Sequence, residues 1–187
     1  MSLTSSNMLP LGTQAPEFSL QNTVDRNQID LYTHVNKHPF VIAFICNHCP
    51  YVIHIIDKFV EVANTYEQKG IKHIAISAND VVSHPADSSD HMKSLAEQKG
   101  FVFPYCYDES QKIAKAYDAA CTPDFYLFNQ DKLLVYRGQF DSSRPNNEIP
   151  VTGKSLINAM NNSLNNKPID QQQTQSMGCN IKWKAAV

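Results

Sequence analysis

Runs of apolar residues and regular apolar spacing divide the chain into strands and helices. Residues 39–45 form a short apolar run with the composition of a buried strand, and apolar side chains at helical spacing follow from Val52 to Tyr66. Gly70 ends this helix, and residues 71–77 form a second apolar run. The order strand, helix, strand predicts a parallel, right-handed βαβ unit at the centre of the fold.

Shorter elements are predicted on both sides of this unit. Alternating apolar positions around residues 18–20 and 29–31 predict a small N-terminal hairpin. The downstream predictions are a helix that begins after Asp87 or Ser88 and ends at Gly100, an extended piece over 101–105, a helix over 109–117, a hairpin of strands 125–128 and 133–136, and a helix over 154–164. Together these elements predict an α/β fold.

Composition and charge exclude several classes of protein. The 187 residues fit one domain, and 42% apolar with 18% charged residues indicate a globular chain. A formal net charge of -2 gives no electrostatic basis for binding nucleic acid or an anionic membrane. No apolar run is as long as a membrane span, and residues 1–12 lack the pattern of a secretory signal.

The five cysteines narrow the chemistry further. An odd number in a chain of this length argues against a disulfide-stapled secreted scaffold and favours thiols in a reducing cytoplasm. Two of them form the motif Cys46-Asn47-His48-Cys49-Pro50, between the first core strand and the long helix. A C-x-x-C motif beside a βαβ pattern is typical of a thioredoxin-like redox site.

The position of the motif suits a redox dithiol. Only a thiolate attacks a disulfide, and free N–H groups and the dipole at a helix N-terminus stabilise an anion. His48, when protonated, would further favour a nearby thiolate, and Pro50 suits the first helical turn. Half of a zinc site is the alternative, with His48 or His54 as further ligands, but no second C-x-x-C exists. We therefore expect no bound metal and no cofactor, since the dithiol is itself the redox centre.

Cys121-Thr122-Pro123, just before a predicted strand, is a second candidate site. X–Pro bonds are the ones that adopt the cis form. A cis Pro123 opposite the dithiol would leave the Thr122 backbone free to pair with a substrate chain. An ordinary proline at the start of a strand is the alternative, and the C-x-x-C setting favours the cis form.

Several motifs, taken together, resemble one superfamily. They are the opening G-x-x-A-P-x-F-x-L at 12–20, CNHCPYV at 46–52, ISAND at 76–80, CTPDF at 121–125, YRG at 136–138 and GCNIKW at 178–183. The opening resembles the peroxiredoxin and alkyl hydroperoxide reductase superfamily, and the others resemble its branch of peroxiredoxin-like bacterial proteins, labelled thioredoxin-family proteins or thiol-disulfide isomerases.

This resemblance implies a thioredoxin fold, in which an N-terminal β-hairpin and an inserted helix accompany a central mixed sheet flanked by helices. We expect a thioredoxin-like domain over 12–166 and a C-terminal tail, 167–187, that packs back on it. In this family Cys49 corresponds to the peroxidatic cysteine of true peroxiredoxins, and Cys46 to the attacking cysteine of thioredoxins. Cys46 also stands where true peroxiredoxins carry a peroxide-binding Thr or Ser, which weakens the case for a peroxidase.

The leading hypothesis is a cytoplasmic thiol-disulfide oxidoreductase. Cys46, at the open end of the turn, attacks a substrate disulfide, and Cys49 resolves the mixed disulfide. His48 tunes the potential, and Thr122 with Pro123 docks the substrate backbone. The expected partners are a disulfide-containing protein or small molecule and a thioredoxin-type reductant.

Two further hypotheses remain open. In a peroxidase, Cys49 would become a sulfenic acid that Cys46 or Cys179 resolves, and Arg137 would substitute for the peroxiredoxin arginine. Copper delivery through two cysteines and a histidine is the third. Asp124 is a candidate proton acceptor, although a solvated turn position is favoured, and Cys106 and Cys121 are expected in the core.

Overall fold

A computed structural model of the chain describes residues 3–185. Its strands are β1 (Leu3–Ser5), β2 (Ser19–Gln21), β3 (Gln28–Asp30), β4 (Phe40–Phe44), β5 (Lys72–Ser77), β6 (Tyr105–Tyr107), β7 (Cys121–Thr122), β8 (Asp124–Phe128), β9 (Leu134–Gly138) and β10 (Met177–Asn180). Its helices are α1 (Leu31–Val35), α2 (Pro50–Gln68), α3 (Ser89–Lys99), α4 (Lys112–Ala116) and α5 (Lys154–Leu164), with a 3₁₀ turn at Pro85–Asp87. No helix within 3–185 has the length and apolar character to cross a membrane.

A five-stranded mixed sheet in the order β6-β5-β4-β8-β9 forms the centre of the molecule. β4, β5 and β6 are parallel, whereas β8 runs antiparallel to β4 and β9 antiparallel to β8. Every residue of β4 is buried. Val41 and Ala43 join the apolar cluster that contains α2 and α5, whereas Phe40, Ile42 and Phe44 join the cluster on the opposite face. Burial on both faces explains why this strand is a continuous apolar run.

A smaller sheet in the order β1-β10-β7 joins the two ends of the described chain. β10 lies between the other two strands, with Cys179 opposite both Leu3 and Thr122. In this sheet β1, which lies before the predicted start of the domain at residue 12, pairs with β10 of the predicted tail. The division into 12–166 and 167–187 stays a prediction, and the last two residues of that tail lie outside the described residues.

Most predicted elements are confirmed. The β2–β3 hairpin, the parallel β4-α2-β5 unit and α5 form where the patterns place them. Ser88 is the N-cap residue of α3, although its side chain makes no capping hydrogen bond, and Gly100 ends the helix with a positive φ of 70°, a conformation that glycine adopts without steric cost.

Two predictions about strands differ from the structure. The extended piece expected over 101–105 belongs to a strand only at its last residue, since β6 begins at Tyr105. The apolar pattern there has another cause, because the Phe101 ring stacks on Phe103 at 4.6 Å and Phe103 packs against Phe59 at 5.7 Å. β1 is not predicted at all, since its three residues carry no apolar alternation.

Replacement of Leu156 by alanine tests the core beneath α5. Its side chain is fully buried in the cluster that contains α2, so Leu156→Ala should lower the free energy of unfolding by about 2–5 kcal/mol. Chemical denaturation measures the change. The matched control is Val82→Ala at an exposed position, which should change it by no more than about 0.5 kcal/mol. Equal effects from the two variants would contradict this packing.

Candidate active site

The turn between β4 and α2 carries both cysteines of the motif. α2 begins at Pro50, so Cys49 is the N-cap residue of the helix, with extended backbone angles. Cys46 lies three residues earlier, and both side chains are buried, at 1% and 0% exposure. The sequence favours Cys46 as the more open of the two sulfurs, but in the structure neither is exposed.

Thr122 and Pro123 face this turn, and the peptide bond between them is cis, as predicted. The Thr122 hydroxyl lies 3.3 Å from the Cys46 sulfur. In its protonated form the Cys49 thiol donates a hydrogen bond of 3.2 Å to the Thr122 carbonyl. One residue of β7 therefore contacts both sulfurs. Its backbone is not open to a substrate chain, however, because β10 pairs with β7 at this position.

Cys179 of β10 brings a third thiol to the same place. Its side chain and its backbone N–H both hydrogen-bond the Cys49 sulfur. The side chain is buried, at 3% exposure. The sequence gives Cys179 as a candidate for this position, but only the pairing of β10 with β7 shows how the tail reaches the site.

The hydrogen bonds around Cys49 shift the pKa of this thiol in one direction and the pKa values of Cys46 and Cys179 in the other. The largest influence on the pKa of Cys49 is the hydrogen bond that the Cys46 thiol donates to it. Together with the bonds donated by Cys179 and by the Val52 N–H, this bond outweighs the effect of burial and lowers the pKa of Cys49 to about 5. The same bond to Cys49 raises the pKa of Cys46 well above its ordinary value, with burial and the negative charge of Asp87 adding to it. Burial, followed by its bond to Cys49, raises the pKa of Cys179 to about 12. These bonds favour the charged form of Cys49 over the charged forms of Cys46 and Cys179.

Asp87 is the buried acid of the site, and it lies in the 3₁₀ turn before α3. Its side chain is fully buried. It accepts hydrogen bonds from the Asn47 backbone N–H at 2.8 Å, from His48 Nδ1 at 2.6 Å and from Asn79 Nδ2 at 2.8 Å. His84 stacks on the His48 ring, with the ring centroids 4.9 Å apart. Asp87 thus fixes the backbone and the imidazole of the C-x-x-C turn.

Sequence reasoning missed this role of Asp87 and predicted it only as a candidate helix cap. A signal was present, since the loop at 78–86 leaves the carboxyl end of β5, the edge of an α/β sheet where ligand sites form. Asn79, in the same loop, lies within the quoted ISAND motif. Nothing in the local sequence shows, however, that Asp87 reaches the cysteines.

Cys46, His48 and Asp87 could also hold a metal ion, because one ligand atom from each lies within 4.8 Å of the others. A structural zinc ion takes four such ligands. His48 and Asp87 already form a hydrogen bond with each other. Copper delivery stays an untested prediction.

Asp124 differs from its predicted position. It is fully buried in β8, not solvated in a turn, and it accepts a hydrogen bond of 2.8 Å from the Tyr126 hydroxyl. Burial raises the pKa of Asp124 to about 7. The acid whose charge acts on Cys46 is Asp87 instead. Cys106 and Cys121 are buried as predicted.

The AhpC/TSA family matches residues 11–137. The chain belongs to this family. An uncharacterized conserved protein from Geobacillus kaustophilus is 51% identical, with a TM-score of 0.97 over 100% of this chain and 99% of that one. A hypothetical protein from Sinorhizobium meliloti is 39% identical, with a TM-score of 0.95 over 98% and 100% of the two chains. A comparison with curated proteins found no match.

A more distant structure bears on the fold. A thiol:disulfide interchange protein of the thioredoxin family, from Chlorobium tepidum, is 14% identical, with a TM-score of 0.63 over 82% of this chain and 97% of that one. At this identity the likeness shows the fold alone, and it confirms the thioredoxin fold with its central mixed sheet. Family and fold together indicate a redox enzyme that works through thiols.

The charge on Cys49 can be tested by alkylation with iodoacetamide. The rate of modification at Cys49 should rise with pH through about 5 and level off above it, because only the thiolate reacts. Cys46→Ala removes the main hydrogen-bond donor and should move the midpoint toward the ordinary value of about 8.5. Cys46→Ser is the matched control, since a hydroxyl can still donate, and it should move the midpoint less. An unchanged midpoint in Cys46→Ala would contradict the role of this bond.

Proposed function

We propose that the protein is a thiol-disulfide oxidoreductase in which Cys49 is the attacking thiolate and Cys46 closes the disulfide. The observation that carries this proposal is the position of Cys49 as the N-cap residue of α2, where hydrogen bonds from Cys46 and Cys179 converge on its sulfur and lower its pKa. The roles are the reverse of those favoured by the sequence, because the hydrogen bonds that stabilise the anion converge on the second cysteine.

The reaction has two exchange steps. The Cys49 thiolate attacks one sulfur of a substrate disulfide, so that the substrate bond breaks and one substrate thiolate leaves. Cys46 then loses its proton and attacks the Cys49 sulfur, which releases the second substrate thiol and forms the Cys46–Cys49 disulfide. Two electrons pass from the dithiol to the substrate, and a thioredoxin-type system would return them.

The second step needs a proton acceptor for Cys46, and we assign this role to His48. A ring nitrogen of His48 lies within 4.8 Å of the Cys46 sulfur. The Nδ1 atom of His48 donates to Asp87, which holds the ring in place. Nε2 has no hydrogen-bond partner among the described residues and lies away from solvent, so it is available as a base. In this proposal Asp87 is a positioning residue.

The substrate class and the cellular location belong to the same proposal. Thr122 contacts both sulfurs, which supports a role in aligning the reacting disulfide. Because β10 pairs with Thr122, a small disulfide fits the closed site better than a protein chain does. The odd number of cysteines in a chain of this length supports the cytoplasmic location within this proposal.

A thiol peroxidase is the second candidate, favoured by the same low pKa of Cys49. Peroxide would oxidise the thiolate to a sulfenic acid, and Cys46 or Cys179 would condense with it, releasing water. Arg137, the substitute considered for the peroxiredoxin arginine, instead donates to the Gln173 side chain at 2.9 Å. Without that cation, the geometry supports disulfide exchange more strongly.

Trapping with a small disulfide tests the order of the two cysteines. Cys49→Ser should abolish reduction of bis(2-hydroxyethyl) disulfide, because no thiolate remains to attack. Cys46→Ser should still open the substrate disulfide at Cys49, which mass spectrometry of the product would locate. An adduct on Cys46 in the Cys49→Ser protein, with full activity, would contradict the proposed order. Faster oxidation of Cys49 by limiting hydrogen peroxide than by the disulfide would favour the peroxidase.

The role of His48 can be tested by the pH dependence of its alanine variant. At neutral pH, His48→Ala should slow closure of the Cys46–Cys49 disulfide by about 10²-fold, the typical effect of losing a general base. The defect should shrink as pH rises, because hydroxide then removes the Cys46 proton directly. Stopped-flow release of the second thiol measures the step. His38→Ala, a histidine that bonds the distant Gly70 carbonyl, is the control, and a pH-independent defect would show a merely structural role for His48.

A further inference from the structure

The edge of the cis-proline strand is occupied by the chain itself. β10 runs antiparallel to β7, with Cys179 opposite Thr122 and Asn180 opposite Cys121. Addition of an extended segment to an exposed strand edge is a common way for a sheet to bind a peptide. β10 therefore occupies the position in which a substrate chain would pair with Thr122. Its residue opposite Thr122 is Cys179, which lies next to the Cys49 sulfur.

β10 lies closer to Thr122 and Pro123 than it could if residue 178 carried a side chain. A Cβ atom added at Gly178 would lie 2.0 Å from the Thr122 carbonyl oxygen and 3.1 Å from Cδ of Pro123. Contacts below 3.0 Å force the backbone to shift. Glycine at 178 thus lets β10 approach the cis-proline bond, and this approach brings Cys179 to Cys49.

The contact between Cys179 and Cys49 is direct. The Cys179 thiol and its backbone N–H both donate to the Cys49 sulfur. The Cys46 thiol donates to the same sulfur. Cys49 is therefore the shared neighbour of two thiols, those of Cys46 and Cys179.

Bonds on both sides hold β10 in this position. Before it, the Ser6 N–H donates to the Ser176 carbonyl at 2.9 Å. After it, the Ile181 N–H donates to the Ala120 carbonyl at 3.0 Å, and the Lys182 N–H donates to Asn79 Oδ1 at 2.8 Å. Cys179 is consequently a fixed part of the site and not a passing contact of a loose tail.

We propose that β10 is a built-in substitute for a substrate strand and that Cys179 is a third redox residue, which accepts the disulfide from Cys46. This inference rests on the proposed function, which supplies the Cys46–Cys49 disulfide. The Cys179 sulfur, after losing its proton, attacks Cys49. The Cys46–Cys49 bond breaks, a Cys49–Cys179 bond forms, and the Cys46 thiolate takes up the proton. No electrons are gained or lost overall, so the exchange needs no external oxidant.

Disulfide mapping in the full-length protein tests the proposal. Wild type, Cys46→Ser, Cys179→Ser and the double variant would each receive one equivalent of bis(2-hydroxyethyl) disulfide. Acid quenching, alkylation and mass spectrometry of the peptides then locate every bond. We expect a Cys49–Cys179 disulfide in wild type and in Cys46→Ser, a Cys46–Cys49 disulfide in Cys179→Ser, and a lasting adduct of the probe on Cys49 in the double variant.

The variants separate failure of this inference from failure of the proposed function. If Cys46→Ser keeps the probe on Cys49 while Cys179 stays a free thiol, the third redox residue is refuted and the oxidoreductase stands. If the double variant shows no adduct on Cys49, the proposed function itself fails. Cys106→Ser, which changes a buried cysteine of β6 outside the site, is the control and should leave the wild-type pattern unchanged.

A second variant tests the strand rather than the thiol. Gly178→Ala, made in the Cys46→Ser background, must push β10 away from Thr122. It should slow formation of the Cys49–Cys179 disulfide at least tenfold while Cys49 still takes up the probe. Circular dichroism would verify that the variant is folded. Unchanged formation of that disulfide would overturn the role assigned to β10.

Discussion

The site depends on keeping a negative charge on a sulfur that no water reaches. Burial alone disfavours a thiolate, because the anion loses its hydration. Around Cys49 this loss is offset by hydrogen-bond donors from three parts of the chain: Cys46 in the same turn, Val52 in α2 and Cys179 in β10. The strand-to-helix turn, the helix N-terminus and the tail strand are each needed to complete the set.

The same environment sets the two motif cysteines apart. Hydrogen-bond donors lower the pKa of Cys49, whereas the bond to Cys49, burial and the charge of Asp87 raise the pKa of Cys46. Groups whose surroundings push their pKa values in opposite directions are suited to opposite roles in a reaction. In the proposed mechanism Cys49 attacks, and Cys46 keeps its proton until the mixed disulfide has formed.

The part of the fold that depends on local pattern could be predicted, and the part that depends on distant contacts could not. The β4-α2-β5 unit follows from apolar periodicity, and the cis bond before Pro123 follows from its place beside a C-x-x-C turn. Asp87 was missed as a site residue, because its distance from Cys46 along the chain hides a contact that exists only in three dimensions. The proposed order of the two cysteines depends in the same way on a distant residue, since Cys179 donates to Cys49 from the far end of the fold.

The late position of β10 in the chain has a consequence for biosynthesis. β10 is the last strand of the described residues, so a ribosome completes the C-x-x-C turn well before it makes Cys179. During that interval the emerging polypeptide has Cys46 and the helix N-terminus, but it lacks the donors of β10 and the strand that covers Thr122. The environment of the proposed nucleophile is therefore complete only after β10 has been added, which is also when the site is closed.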